Sequence, residues 1–152
     1  MTGFQIRDAR PSEAAALSAL CKRSKAHWGY DAEFMRLSDA SLTIAPELIA
    51  KGRVIVAEDG ALLGMASLDP IETGVFDLLH MFVDPGAIGR GVGRALFAAI
   101  CERARKESGK LISILADPNA EAFYLRMGAV RAGDAPSDSV PSRRLPMLAF
   151  AL

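Results

Sequence analysis

The residues best suited to chemistry in this chain form a glycine-rich turn, Gly89-Arg90-Gly91-Val92-Gly93. An apolar run, Val75–Val83, precedes the turn, and a helical pattern that extends to Ser108 follows it. Glycines at alternate positions leave room for a ligand beside the main chain. The start of the helix offers unpaired N–H groups and the positive end of the helix dipole. This order predicts an anion site built from main-chain donors, with Arg90 and Arg94 adding positive charge at its rim.

Two nucleotide-binding fingerprints do not fit the turn. A P-loop requires Gly-x4-Gly-Lys-Ser/Thr; Gly86 and Gly91 have the spacing, but the lysine and the hydroxyl residue do not follow. The dinucleotide fingerprint requires Gly-x-Gly-x-x-Gly/Ala, and the two registers of the turn put Arg94 or Leu96 at the third glycine position. The spacing therefore excludes both fingerprints and leaves the bound anion open.

The elements around the turn predict an α/β fold. The apolar run Val75–Val83 is typical of a strand that is buried on both faces in the middle of a sheet. The helix has one apolar face and is expected to end at Gly109 as a C′ glycine. The segment Lys110–Ala116 is predicted to be the next strand, and the strand–helix–strand order implies a parallel crossover.

The remaining elements extend this sheet on both sides. Alternation and turn residues predict a first strand, a helix from Pro11, two hairpin strands joined at Asp59-Gly60, a loop at 70–74 and a closing strand from Arg144. We expect a single domain over residues 1–152, with a central mixed sheet of about six to seven strands flanked by helices.

Two further segments carry polar or aromatic side chains that a site could use. Asp117 is expected to cap a helix that ends at Gly128 and contains Asn119 and Tyr124. Earlier in the chain, ring side chains cluster at a break in the helical pattern, at His27, Trp28, Tyr30 and Phe34. Trp28 either caps the core or contacts a ligand.

Composition narrows the classes of partner. Eighteen basic and eighteen acidic residues cancel, so charge gives no argument for a nucleic acid or an anionic membrane. No apolar run approaches the length of a membrane span, and the N-terminus lacks the apolar region of a signal peptide. Cys21 and Cys101 lie far apart in predicted helices, which favours buried thiols over a disulfide or a metal site and indicates a reduced, cytoplasmic compartment.

The turn and the strand before it resemble the acetyl-CoA-binding motif of the GNAT superfamily of N-acetyltransferases. Val83-Asp84-Pro85 and Gly91-Val92-Gly93 match that motif. Ile88 stands where the family usually carries Arg or Gln, at a position used largely through its backbone N–H. A second GNAT motif is similar to the segment from Asn119 to Gly128, in which Ala129 replaces the final aromatic residue.

The resemblance implies a fold in which two central parallel strands splay apart to admit acetyl-CoA as the cosubstrate, with no metal. The diphosphate would lie on backbone N–H groups, and the pantetheine arm would pair with a free strand edge, with N–H groups near Phe82 stabilising the oxyanion. The implied cofactor-binding residues are Met81, Phe82, Val83, Ile88, Gly89, Arg90, Gly91, Val92, Gly93, Arg94, Asn119 and Tyr124.

The resemblance also implies direct transfer of the acetyl group to a primary amine. Tyr124 occupies the place of the family's tyrosine acid, which returns a proton to the CoA thiolate. Asp77 stands where several members carry a glutamate base, and His80 is its rival because histidine titrates in the useful range. Strict alternation puts Asp77 and His80 on opposite faces, so that only one of them points at the acceptor unless a bulge lies between them.

The acceptor and the assembly are less defined. In the resembling family the helices after the first strand line the acceptor side, which makes His27, Trp28, Tyr30 and Phe34 candidates for contacts with a small-molecule amine or a peptide. The apolar C-terminal strand could pair across a homodimer. Two alternatives stay open: a CoA-binding regulatory domain that does no chemistry, and an interaction module whose glycine turn is purely structural.

Overall fold

The computed structural model describes residues 3–152 and contains one seven-stranded mixed sheet. The order across the sheet is β1-β2-β3-β4-β5-β7-β6, and within residues 3–152 the only parallel pair is β4 with β5. The predicted α/β architecture is therefore confirmed. The strands are β1 (Gln5–Asp8), β2 (Val54–Glu58), β3 (Leu62–Glu72), β4 (Val75–Val83), β5 (Leu111–Leu115), β6 (Val130–Pro136) and β7 (Arg144–Ala151).

Helices cover both faces of the sheet. They are α1 (Ala14–Ala26), α2 (Ala32–Ser38), α3 (Pro46–Ala50), α4 (Val92–Lys106) and α5 (Glu121–Met127). One core packs α4 and α5 against the sheet around Leu96, Phe97 and Ile100, and the other packs α1 and α3 around Leu17 and Leu20. Within residues 3–152 no helix is long and apolar enough to cross a membrane.

The two central strands separate after a short parallel contact. Only Val75–Asp77 of β4 pairs with Leu111–Ser113 of β5. From Leu78 onward no strand within residues 3–152 pairs with the edge of β4 that faces β5, and a cleft opens between the two strands. The predicted splay is confirmed.

Strand β4 departs from the expected burial and alternation. Leu78 pairs with Leu68 but His80 pairs with Ser67, so Leu79 is an unpaired bulge residue. Leu79 is 42% exposed, and the expectation that β4 is buried on both faces is wrong. The face that packs on α4 is buried, whereas part of the other face borders the cleft.

Several boundaries differ from the sequence-based expectations. β3 continues to Glu72, so the predicted loop at 70–74 is mostly strand followed by a tight turn. The left-handed residue after α4 is Ser108, not Gly109. Gly109 serves close packing instead, because an added Cβ would lie 2.7 Å from the carbonyl oxygen of Ala104.

The C-terminal third also corrects two expectations. α5 begins at Glu121, later than predicted, because Asp117 caps a preceding turn by accepting a 2.8 Å hydrogen bond from the Asn119 N–H. β7 lies between β5 and β6 and pairs with both. Its edges are therefore occupied, and the suggested pairing of the C-terminal strand across a dimer is wrong.

Candidate active site

The cleft between β4 and β5 has a volume of about 450 Å³, within the usual range for small-molecule sites. Its walls are formed by the end of α1, both central strands, the start of α4, and the segment that runs from the end of β5 through α5. The lining residues are Ser24, Lys25, His27, Trp28, Leu78, Leu79, His80, Met81, Phe82, Val83, Ile88, Gly93, Ile114, Leu115, Ala116, Asp117, Asn119, Ala120, Ala122, Phe123, Tyr124 and Arg126.

The glycine turn adopts its conformation because two of its residues need positive φ. Gly89 has φ 89° and Gly91, the N-cap of α4, has φ 79°, a region that L side chains rarely adopt. A Cβ added at either glycine would meet nothing within 4 Å. Gly93 differs, because a Cβ added there would lie 3.4 Å from the ring of Phe123. The glycine therefore allows α4 to pack closely against α5.

The turn and the first turn of α4 carry a group of unpaired main-chain donors. The N–H groups of residues 89 and 91–94 make no hydrogen bond to any part of the chain that the structure describes. Ile88 and Arg90 instead donate within the turn, to the carbonyls of Pro85 at 3.4 Å and Ala87 at 3.3 Å. Five free donors thus lie at the positive end of a 15-residue helix, where the sequence predicts an anion site.

The two rim arginines have different surroundings. The Arg90 guanidinium pairs with Asp59 at 3.0 Å, whereas Arg94 forms no ion pair with a described residue. Asp84 fixes the other end of the turn by accepting from the Gly86 N–H at 3.0 Å and from Arg23 of α1 at 2.7 Å. These bonds hold the turn in place, and Arg94 is the cation left available to an anion.

The free edge of β4 offers main-chain groups to the cleft. The Asp84 N–H donates to the Leu63 carbonyl, and Phe82 pairs with Met65 of β3. Since successive residues of a strand direct their N–H and C=O groups to opposite edges, the groups of Met81 and Val83 face the gap toward β5. Phe82 itself pairs with β3, and the N–H groups of its two neighbours are the free donors near it, where the sequence predicts the oxyanion donor.

Tyr124 lies in the wall of the cleft on α5. The side chain is 6% exposed and packs against Phe97 and Phe123 with ring centroids 5.9 Å and 5.3 Å away. Its hydroxyl makes no hydrogen bond with residues 3–152. Burial, and to a smaller extent the charge of Asp117, raises the pKa of the phenol, so that the hydroxyl stays protonated.

His80 lies in the cleft wall with both ring nitrogens engaged. Nε2 is 3.1 Å from the Ser41 carbonyl oxygen, which can only accept, so Nε2 carries the proton. Nδ1 therefore accepts from the Ser67 hydroxyl at 2.8 Å. Burial lowers the pKa of His80, and the ring is neutral at pH 7. Its one basic nitrogen is occupied by Ser67.

Asp77 lies on the same face of β4 as His80. Phe76 and Leu78 pack in the α4-side core, so Asp77 between them points to the α1 side. The bulge at Leu79 brings His80 to that face too. Asp77 is not among the described residues that line the cleft. Burial, followed by the charges of Asp69 and Asp138, raises the pKa of its carboxyl.

Asn119 lines the cleft with its amide oriented by two partners. Its Nδ2 donates to Asp117 Oδ1 at 2.9 Å and to the Tyr30 hydroxyl at 3.2 Å. Since both acceptors take the amide hydrogens, the Asn119 carbonyl oxygen is left for another donor. Tyr30 does not line the cleft itself but donates to Asp117 Oδ2 at 2.8 Å.

The aromatic segment splits into two pairs. His27 and Trp28 line the cleft with ring centroids 5.6 Å apart, and Trp28 is 47% exposed, so it does not cap the core. Tyr30 and Phe34 stack on one another at 3.9 Å behind the wall. The four predicted acceptor contacts thus fall into two rings at the cleft and two that support it.

Two charged cleft residues, Lys25 and Arg126, carried no signal in the sequence, and Asp117 was expected only as a helix cap. Lys25 of α1 donates to Asp117 at the end of β5 at 2.6 Å, across 92 positions of the chain, and Arg126 of α5 completes the set. No local pattern reports an ion pair between such distant residues. Among residues 3–152, no cluster of three or more His, Cys, Asp or Glu side chains could hold a metal ion.

Comparisons with known proteins bear on the same elements. The family model of the GNAT acetyltransferase domain matches residues 50–128, which run from the end of α3 through α5. That range is more than half of the chain and includes the glycine turn, β4, β5 and both motif segments. No curated protein matches the chain significantly in sequence.

Solved structures with the same fold are similar over nearly the full length. A GCN5-related N-acetyltransferase from Rhodopseudomonas palustris has a TM-score of 0.78 and 22% identity, with coverage of 97% of this chain and 95% of that one. Ard1 from Thermoplasma volcanium has a TM-score of 0.76 and 18% identity, with coverage of 99% and 98%.

A third structure is that of the PaiA N-acetyltransferase from Thermoplasma acidophilum in complex with coenzyme A, with a TM-score of 0.75, 16% identity and coverage of 98% and 99%. At such identities the likeness concerns the fold. The family follows from the domain model: the chain belongs to the GNAT acetyltransferases and is an acyltransferase.

Proposed function

We propose that the protein transfers the acetyl group of acetyl-CoA directly to a primary amine of a small molecule or peptide. The observation that carries the proposal is the row of five free N–H groups at the start of α4, where Gly93 lines the cleft between β4 and β5. A row of donors at a helix N-terminus suits a diphosphate. The similar fold of PaiA, a protein solved with coenzyme A, supports acetyl-CoA as the donor.

The cofactor would run from the turn into the cleft. The diphosphate would accept from residues 89 and 91–94, with Arg94 beside it. The pantetheine arm would add to the free edge of β4 at Met81 and Val83 and donate an amide N–H to the Asn119 carbonyl oxygen. This arrangement leaves the thioester near Tyr124 and the acceptor side near His27 and Trp28.

The reaction requires three proton transfers. A base removes a proton from the ammonium, the amine nitrogen forms a bond to the thioester carbon, and the C–S bond breaks. An N–H of the free β4 edge stabilises the oxyanion, and Tyr124 gives its proton to the departing thiolate. The nitrogen of the new amide loses its extra proton, which passes through water to the Tyr124 oxygen and restores the phenol. Asp77 is the base in this scheme, acting through water, because the basic nitrogen of His80 is held by Ser67.

The compartment completes the proposal. Cys21 and Cys101 are both buried and unpaired, and burial raises their thiol pKa values to about 12 and about 11. Such thiols are unreactive and give no sign of an oxidising environment. We therefore infer a cytoplasmic enzyme.

A thiol-release assay with acetyl-CoA and a mixed pool of amines tests the proposed reaction, with mass spectrometry of the acetylated products. We expect release of CoA that depends on the amine, together with a product that is about 42 Da heavier than the amine because an acetyl group has replaced a hydrogen. Release that does not depend on an amine would instead indicate hydrolysis. Calorimetry with CoA checks binding separately, and absence of heat and of a thermal shift would overturn the cofactor assignment.

A further inference from the structure

The cluster of Lys25, Tyr30, Asp117 and Arg143 contains more positive than negative charge. Lys25 Nζ lies 2.6 Å from Asp117 Oδ2, and the Arg143 guanidinium lies 3.9 Å from the same oxygen. The side chain of Lys25 is only 16% exposed, that of Arg143 19% and that of Asp117 12%. Two cations share one carboxylate, so one positive charge in a largely buried cluster has no counterion among the described residues.

The Arg143 side chain is held rigidly with donors to spare. It lies over the stacked rings of Tyr30 and Phe34, 5.1 Å and 4.7 Å from their centroids, and its Nη2 donates to the Tyr30 hydroxyl at 2.8 Å. Nε and Nη1 have no hydrogen-bond partner in residues 3–152. A guanidinium fixed by ring stacking loses little entropy on binding a ligand and suits a planar anion.

The cluster adjoins the side of the cleft that the acceptor would occupy. Lys25 and Asp117 line the cleft directly, next to His27 and Trp28 on α1. Arg143 is placed behind them by the segment between β6 and β7, where Asp138 forms no ion pair within the described range. The uncompensated charge therefore lies beside the end of the cleft that His27 and Trp28 line, not at the turn that suits the diphosphate.

We propose that this cluster is an anion subsite and that the acceptor is an amine that also carries a carboxylate, such as an amino acid or the end of a short peptide. This inference rests on the proposed function for the amine. The carboxylate would take the free donors of Arg143 and supply the counterion that Lys25 and Arg143 lack. An uncharged side of the acceptor would lie on His27 and Trp28.

Matched acceptors that differ only in the carboxylate test the subsite. Leucine is compared with isoamylamine and phenylalanine with phenethylamine in the thiol-release assay. We expect kcat/KM to be higher for the amino acid of each pair by about ten- to a hundredfold, the worth of hydrogen bonds to a charged group. Equal values for both members of each pair would overturn the subsite while leaving amine acetylation intact.

Variants of adjacent arginines assign the effect to Arg143. Arg143→Gln should lower kcat/KM for the amino acid far more than kcat/KM for the plain amine and so remove the preference, and Arg143→Lys should keep part of the preference. Arg144→Gln is the control, because Arg144 is 60% exposed and pairs with Asp134 outside the cluster. A loss with Arg143→Gln that is equal for both acceptors, or the same loss with Arg144→Gln, contradicts the proposal.

Binding of acetylated products provides a test without turnover. N-acetyl-leucine and N-acetyl-isoamylamine have no ionisable amine, so the difference in their Kd for the CoA-bound protein reports the carboxylate alone. Calorimetry should give tighter binding of N-acetyl-leucine to the wild type and equal binding of the two to Arg143→Gln. This result would support the subsite even if no amine were acetylated, and equal binding to the wild type would refute it.

Discussion

At the scale of single residues, the cleft contains side chains whose protonation is fixed by burial. Tyr124 has no hydrogen-bond partner among residues 3–152 and keeps its proton because its pKa is raised. His80 is neutral because burial lowers its pKa and because two hydrogen bonds define one tautomer. Tyr124 is thus a protonated side chain that can act as a proton donor, and His80 is a structural hydrogen-bonding group.

Removal of the Tyr124 hydroxyl should affect chemistry alone. For Tyr124→Phe we expect kcat to fall by about 10²-fold or more, as for loss of a general acid, with little change in the KM for acetyl-CoA. Steady-state kinetics with the best acceptor from the amine pool measures both. The melting temperature serves as the control, since the hydroxyl has no protein partner to lose. No loss of kcat, or an equal loss of kcat and affinity, would remove Tyr124 from the acid role.

The neutral state of His80 predicts a pH dependence of stability. Its pKa in the folded protein lies below the usual 6.5, so the unfolded chain binds the proton more readily. Stability is complete above about pH 6.5 and falls as pH drops toward the folded pKa, by up to about 1.4 kcal/mol per pH unit. Urea unfolding at pH 7.5 and 5.5 measures this loss.

The variant His80→Gln isolates the histidine in that experiment. Asp77, whose pKa is raised, contributes in the opposite sense, but it is present in both proteins and cancels in the comparison. We expect the variant to lose less stability than the wild type between the two pH values. Parallel changes in the two proteins would show that His80 is not the titrating group.

At the scale of elements, the turn before α4 combines a backbone requirement with a row of free main-chain donors. Gly89 and Gly91 have positive φ, and the space beside their α carbons is open within the protein. The glycines are required by the path of the chain, and the open space is what a diphosphate would fill. An added side chain would strain the backbone and also block the ligand. These two effects can be separated by making the same substitution in another turn with a similar positive φ.

Gly91→Ala should weaken CoA binding far more than it weakens the fold. The matched control is Gly60→Ala in the β2–β3 hairpin, where φ is 70° and an added Cβ also meets nothing within 4 Å. Each substitution should cost about 1–2 kcal/mol of stability through left-handed strain. Only Gly91→Ala should raise the Kd for CoA in calorimetry. Equal Kd values in the two variants would contradict a diphosphate site at the turn.

At the scale of the whole molecule, one sheet carries two cores on its opposite faces. Leu96 belongs to the α4 side and Leu17 to the α1 side, and each is fully buried. The cleft separates part of β4 from β5, and one core packs on each face of the sheet. We predict that residues 1–152 unfold as a single domain.

Core variants on the two faces test that cooperativity. Leu17→Ala and Leu96→Ala should each destabilise the protein by about 2–5 kcal/mol. In urea unfolding, fluorescence of the single tryptophan, Trp28, and far-UV circular dichroism should give one coincident transition in the wild type and in both variants. Separate transitions for the two probes would show that the faces unfold independently.

Much of the fold and half of the site followed from local patterns. The glycine turn, the helix after it and the hairpin at Asp59-Gly60 were predictable because spacing, caps and turn residues act over a few positions. Asn119 and Tyr124 line the cleft, and their roles in binding and catalysis stay predictions. The start of α5 was not predictable, because Asp117 has an alternative use as the cap of a preceding turn.

The sequence by itself determined the glycine turn, the family resemblance and the parallel pair of strands. Only the tertiary structure decided that a bulge at Leu79 brings Asp77 and His80 to one face, and that Ser67 occupies the basic nitrogen of His80. Only the folded structure brings Lys25, Asp117 and Arg143 together, although they lie up to 118 positions apart in the chain. The reason is physical: periodicity and capping act within one element, whereas register and ion pairing depend on which distant segments the folded sheet brings into contact.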